Sequence, residues 1–172
     1  MNLKRFFRPA PSPERLLYEA IVAAARHETP YAEWGVADSV DGRFDMITLY
    51  LFLTLDRLKG GAEAFRQRLI DAFFADMDRS LREMGVGDIS VGKKVRKMAE
   101  VFYGRVAAYS KALETGRADL KAAIARNVFP DGAPEASAGK LAGHALLIRA
   151  ELAGQPTAGL LAGAIAFPEP QP

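Results

Sequence analysis

At 172 residues, 49% hydrophobic and 26% charged, the chain has the composition of one globular domain with ends to spare. The absence of cysteine excludes disulfides, thiolate metal sites and a cysteine nucleophile, and a net charge of only +2 speaks against a general nucleic-acid binder.

The first eight residues, MNLKRFFR, are basic and aromatic but lack the long apolar core and small-residue cleavage site of a secretory signal. A frayed, flexible terminus through residue 11 is expected. The alternative is a weak membrane-surface contact through Leu3, Phe6 and Phe7, ringed by Lys4, Arg5 and Arg8. Ser12 as cap and Pro13 as first residue open a helix running to about His27. Residues Glu28 to Gly42 read as a connector, with turn signals at Thr29-Pro30, Gly35 and Asp41-Gly42.

A second helix, Arg43 to Lys59, is apolar nearly all round, the pattern of a helix at the centre of a bundle, and Gly60-Gly61 stops it. Its run from Met46 to Leu55, broken only by Thr48 and Thr54, is about half the length of a membrane span, which makes it a core element. The third helix, Ala62 to Met84, places Phe65, Leu69, Phe73, Met77, Leu81 and Met84 at three- and four-residue spacing, and Gly85 ends it. A fourth runs from about Val91 to Thr115, stopped by Gly116. A shorter fifth covers Ala118 to Asn127, and a sixth about Ala136 to Ala153. The segment from 155 is rich in Ala and Gly and closes with Pro168-Glu169-Pro170-Gln171-Pro172, so it is expected to be partly disordered. No segment alternates as a strand. The expected fold is all-α: a single-domain bundle of six or more helices over residues 12–154, with Met46 to Leu58 at its centre.

Gly87, four intervening residues, Gly92 and Lys93 nearly spell a phosphate-binding loop. The position that should supply a Mg²⁺-binding hydroxyl is Lys94, and a helix rather than a strand precedes the loop. No nucleotide site is expected. The fourth helix carries an apolar stripe of Val95, Met98, Phe102, Val106, Tyr109 and Leu113. Lys93, Arg96, Lys97 and Lys111 project from the opposite side, with Lys94 and Arg105 on a flank. From Asp88 to Lys111 there are six basic and two acidic residues, so the chain's positive charge is concentrated here. Such a run is commonly a solvated face; beside a glycine-rich loop and Tyr103 it also suits an acidic partner or a polyanion.

Catalytic candidates are few. His27 and His144 lie far apart in sequence and no Glu-x-x-His pair is present. His144, between Leu141 and Leu147, reads as a core histidine rather than a ligand. Asp76 and Asp78, two residues apart, point to different sides of their helix and read as solvated or paired with Arg79 and Arg82. Neither an enzyme constellation nor a cofactor or metal site is expected.

Tyr31-x-x-Trp34-Gly35-Val36, Asp38-Ser39-Val40-Asp41-Gly42-Arg43-Phe44-Asp45-Met46-Ile47, Asp76-Met77-Asp78, Arg82-Glu83-Met84-Gly85-Val86-Gly87-Asp88 and Phe102-Tyr103-Gly104-Arg105 resemble, in order, the ubiquinol–cytochrome c chaperone family. The resemblance covers roughly residues 12–150 and is most specific from Asp76 to Arg105. It implies an all-helical, non-enzymatic assembly chaperone that receives newly made cytochrome b for ubiquinol–cytochrome c reductase. Mitochondrial members work beside the ribosome, near its exit site, with a small partner protein.

The residues expected to face a partner are Lys93, Lys94, Arg96, Lys97, Tyr103 and Arg105, with Tyr31 and Trp34 of the connector as a second candidate. Trp34 reads more readily as a plug at a bundle end than as a contact. A ribosome- or RNA-binding module built on the basic helix is the alternative function. The chain shows no long amino-terminal extension of the mitochondrial precursor kind, which favours a bacterial cytoplasmic member; a weak peripheral contact with the inner membrane through residues 1–8 is the alternative to a frayed terminus.

Overall fold

The computed structural model describes residues 10–132, 134 and 136–172. Residues 1–8, read as a frayed terminus with a membrane contact as the alternative, lie outside the described residues. Among the described residues there are eight helices and no strand: α1 (Pro13–Ala25), α2 (Glu28–Ala32), α3 (Val40–Arg57), α4 (Glu63–Glu83), α5 (Asp88–Thr115), α6 (Arg117–Val128), α7 (Ser137–Gly154) and α8 (Thr157–Leu161). The all-α bundle expected from the periodicity is present.

α3 is the central element. Every residue from Phe44 to Leu55 is buried, and α1, α5, α6 and α7 pack around it. A helix apolar on all sides has no solvent face to offer, so its neighbours must enclose it. The two threonines of the run are buried as well; the Thr54 hydroxyl donates to the Tyr50 carbonyl at 2.9 Å, which removes the cost of burying it. α4 lies against α1 and α5, inserting Phe65, Leu69, Phe73 and Met77. The helix ends as its glycine implied: Gly85 sits at φ +83°, and the Val86 N–H reaches back to the Leu81 carbonyl at 3.0 Å. This closure satisfies carbonyls that the helix end leaves open.

Three boundaries differ from the sequence reading. The connector from Glu28 to Gly42 contains α2, whose start is capped by His27: its Nδ1 accepts from the Thr29 N–H at 3.3 Å. Asp41-Gly42 is not a turn but the first turn of α3, because Ser39 Oγ accepts the Gly42 N–H at 3.1 Å and caps the helix. Gly42 is needed there: a β-carbon would lie 2.0 Å from the Ala37 carbonyl oxygen. α5 starts at Asp88, three residues before the start expected at Val91.

The segment after α7, expected to be loose, is packed. Arg57 donates to the carbonyls of Leu152 and Gln155, both at 2.7 Å, and the Gln155 amide exchanges two hydrogen bonds with the backbone of Ala166. Leu160 is buried, and Phe167 meets Tyr50 edge-on at 5.3 Å. Composition signalled disorder here; two side chains that satisfy backbone groups, together with two apolar anchors, override it.

Candidate functional site

The first turn of α3, the last turn of α4 and the first half of α5 leave a cleft between them of about 620 Å³. α3 contributes Val40, Phe44 and Asp45. Leu81, Met84 and Val86 come from the end of α4 and the turn after it, and α5 adds Met98 and Val101, with Lys94 and Lys97 on the wall. A smaller hollow of about 160 Å³ shares Val40, Phe44, Leu81, Met84 and Met98 and extends the apolar floor to Ile47 and Met77. The cleft is apolar because the buried stripes of α4 and α5 continue past the point where another helix covers them. Met84 and Val40 are 51% and 54% exposed. Met84 therefore does not complete the core stripe of α4 as its spacing predicted; it stands at the C-cap, where the helix gives way to Gly85.

The predicted contact residues divide into three groups. Lys93, Lys94, Arg96 and Lys97 are all exposed along α5. Lys94 and Lys97 line the cleft, and Lys97 Nζ reaches Glu100 at 3.1 Å. Tyr103 is half exposed, its ring edge-on to Phe102 at 5.2 Å.

Arg105 is different. Its side chain is only 15% exposed and forms an ion pair with Asp45, while its guanidinium lies over the Phe44 ring at 5.3 Å. It closes the inner end of the cleft and is not a free surface cation. Asp45 is almost wholly buried, and burial pushes its carboxyl up to about 7, with the Arg105 charge opposing that shift.

The two connector candidates are placed differently: Trp34 is buried, whereas Tyr31 is half-buried and lines a hollow with Arg26, Glu28, Asp38 and Arg43. Trp34 is 3% exposed, its ring edge-on to His144 at 5.5 Å, so it is a core plug and cannot offer its indole to a partner from this position. Tyr31 is half-buried, its hydroxyl donating to the Ala25 carbonyl at 2.8 Å, which ties α2 to the end of α1. His144 is a core residue, as its spacing predicted: Nε2 is 2.8 Å from the Tyr50 hydroxyl, and burial lowers its pKa to about 4. Among the described residues no group of His, Asp and Glu is arranged to hold a metal ion.

The near phosphate loop is helical from Asp88 onward, and the Ser90 and Val91 N–H groups donate to the Gly87 carbonyl instead of forming a cradle. The apolar exposures at Val40, Met84 and, on the outer side of α5, Ile89 were missed in the sequence. Only Met84 carried a usable signal, its position directly before the helix-ending glycine.

The arrangement offers an elongated apolar surface with lysines along one wall, which suits binding of a polypeptide segment. The comparisons with known proteins agree with a binding protein. The family model described as ubiquinol-cytochrome C chaperone matches residues 32–167. The crystal structure of the Cbp3 homolog from Brucella abortus superposes with a TM-score of 0.82 at 41% identity, covering 91% of this chain and 89% of that one. Ubiquinol-cytochrome-c reductase complex assembly factor 1 of Xenopus laevis is 22% identical over 116 residues, 66% of this chain and 58% of that protein, so the match spans less than two thirds of that relative. Both the matched length and the shared helical architecture lead to one conclusion: the chain belongs to the ubiquinol–cytochrome c chaperone family, a family of assembly chaperones and not of enzymes.

Proposed function

We propose that this protein assists assembly of ubiquinol–cytochrome c reductase by holding an apolar segment of newly made cytochrome b in the cleft between α3, α4 and α5. The observation that carries this reading is the cleft itself. An unassembled membrane protein exposes apolar helices, and a soluble-facing cleft floored by methionines and branched aliphatics can accept such surfaces without demanding one sequence. Lys94 and Lys97 along the wall would engage acidic residues flanking the segment and orient it. The family membership and the Xenopus laevis relative, whose name states assembly of the reductase complex, support the same direction. Arg105, paired with Asp45, contributes little to a polyanion-binding face, which weighs against the RNA-binding alternative.

The test is a photo-cross-linker placed at Met98 in cells translating cytochrome b. Adducts with cytochrome b at Met98, absent when the cross-linker is moved to the far side of the bundle at Arg149, support the reading. Equal labelling at both positions, or none at Met98 while the reductase still assembles through this protein, would sink it.

A further inference from the structure

The outward face of α5 is distinct from the cleft wall. At about 100° per residue, Ile89, Lys93, Arg96 and Tyr103 fall within about 80° of one another on the helix. All four are exposed, and Ile89 is 90% so, the most exposed large apolar side chain described. Nothing in the fold accounts for it: it lies outside the core cluster and outside the cleft. Ile89 and Tyr103 stand about 21 Å apart along the helix axis, with the two cations between them. The acid on this face, Glu100, is engaged by Lys97, and Asp88 is paired with Arg82.

We propose that this face of α5, from Ile89 to Tyr103, docks on an anionic lipid surface. Three features choose lipid over a protein partner. The face is a convex helix side with an apolar residue at each end, and a bilayer interface accepts a helix lying in its plane without needing a matching groove. Tyrosine and the long lysine and arginine stems suit the headgroup layer, where an apolar body and a polar tip are both satisfied. Finally, residues 88–111 carry six basic and two acidic side chains while the remainder of the chain is net negative, and Lys93 and Arg96 place part of that charge on this face, so an anionic surface is drawn to α5. Docked in this way, the protein would hold the cleft, which shares the Lys94 and Lys97 side of α5, next to the lipid headgroups.

The experiment is flotation of the full chain with vesicles of phosphatidylcholine alone or mixed with phosphatidylglycerol. Binding is expected only to the mixed vesicles and is expected to weaken as salt rises. Ile89→Asp, and separately Lys93→Glu with Arg96→Glu, should each lower the bound fraction about tenfold, with the helical circular dichroism unchanged. Replacing Lys4, Arg5 and Arg8 with Gln tests the amino terminus as a rival and should leave most of the binding in place. Absence of binding to the mixed vesicles overturns the proposal, as does loss only in the amino-terminal variant. If Ile89→Asp instead reduces capture of cytochrome b while vesicles are never bound, the face is a protein contact and the lipid assignment is wrong.

Discussion

Asp45 of α3 and Arg105 of α5 form a buried ion pair that joins the central helix to the longest one at the inner end of the cleft. An Arg105 guanidinium N–H also donates to the Asn127 carbonyl at 3.4 Å, so the same group braces α6. A pair this enclosed depends on both partners: removing one leaves the other charge buried without compensation. Arg105→Met should lower stability, read from urea denaturation, and more so at alkaline than at neutral pH, because without Arg105 the Asp45 carboxyl can take up a proton near neutrality. Asp45→Asn, which keeps the shape and removes the charge, should cost less. An Arg105→Met protein as stable as wild type would show that the pair is not part of the packed core.

The buried titratable groups make opposite contributions to stability as pH changes. The folded His144 has its pKa lowered to about 4 from an ordinary 6.5, so between those values the unfolded chain binds more protons and stability rises with pH. The folded Asp45 is raised to about 7 from 3.8, so over that range the folded chain binds more protons and stability falls with pH. The two slopes largely offset between about pH 4 and 6.5. His144→Gln should therefore reveal a melting temperature that falls as pH rises through this window, and Asp45→Asn one that rises. Parallel profiles for both variants and wild type would contradict the assignment.

Two glycines should respond oppositely to the same substitution. Gly42→Ala drives a β-carbon into the Ala37 carbonyl oxygen, a backbone atom, so the turn before α3 must open, and a loss of at least about 2 kcal/mol is expected. Gly92→Ala meets no atom within 4 Å on a helical stretch of α5 and should stabilise by up to about 1 kcal/mol. Thermal melts of the two proteins side by side give the comparison.

Leu51 is fully buried in α3. Leu51→Ala should cost about 2–5 kcal/mol through the cavity left behind, and Leu51→Asp should fail to fold, because an unpaired carboxylate would be buried in the same place. A Leu51→Asp protein that melts like wild type would remove α3 from the centre.

Reversal of the cleft lysines should separate binding from folding. Lys94→Glu with Lys97→Glu alters exposed side chains only, so the melting temperature should stay within a few degrees of wild type. Reductase assembly in a deletion strain, measured from membrane haem b and haem c absorption, should fall. Full assembly by a stably folded double variant would mean that these charges do not orient the client.

Much of the fold was legible in the sequence because helix formation is a local event with a local record. The three- and four-residue spacing of Phe65, Leu69, Phe73, Met77 and Leu81 named the buried face of α4, and Gly85 named its end. The unbroken apolar run of α3 placed it at the centre, since no other location hides every side of a helix. His144 was recognisable as a core residue from its apolar neighbours, and the family was recognisable from short stretches between Tyr31 and Arg105.

The candidate site was less legible, because periodicity identifies an apolar face without saying which neighbour covers it. Lys94 and Arg105 both read as flanking cations of one helix, yet one lines an open cleft and the other is drawn inward by a carboxylate sixty residues earlier in the chain. The segment ending at Phe167 looks like a free end by composition, and packs against the core only because α3 brings Tyr50 beside it. Local spacing thus determined the helices and the order of their faces. Tertiary packing decided which apolar groups stay open as a cleft and which charges remain free, since both depend on where one helix ends against another.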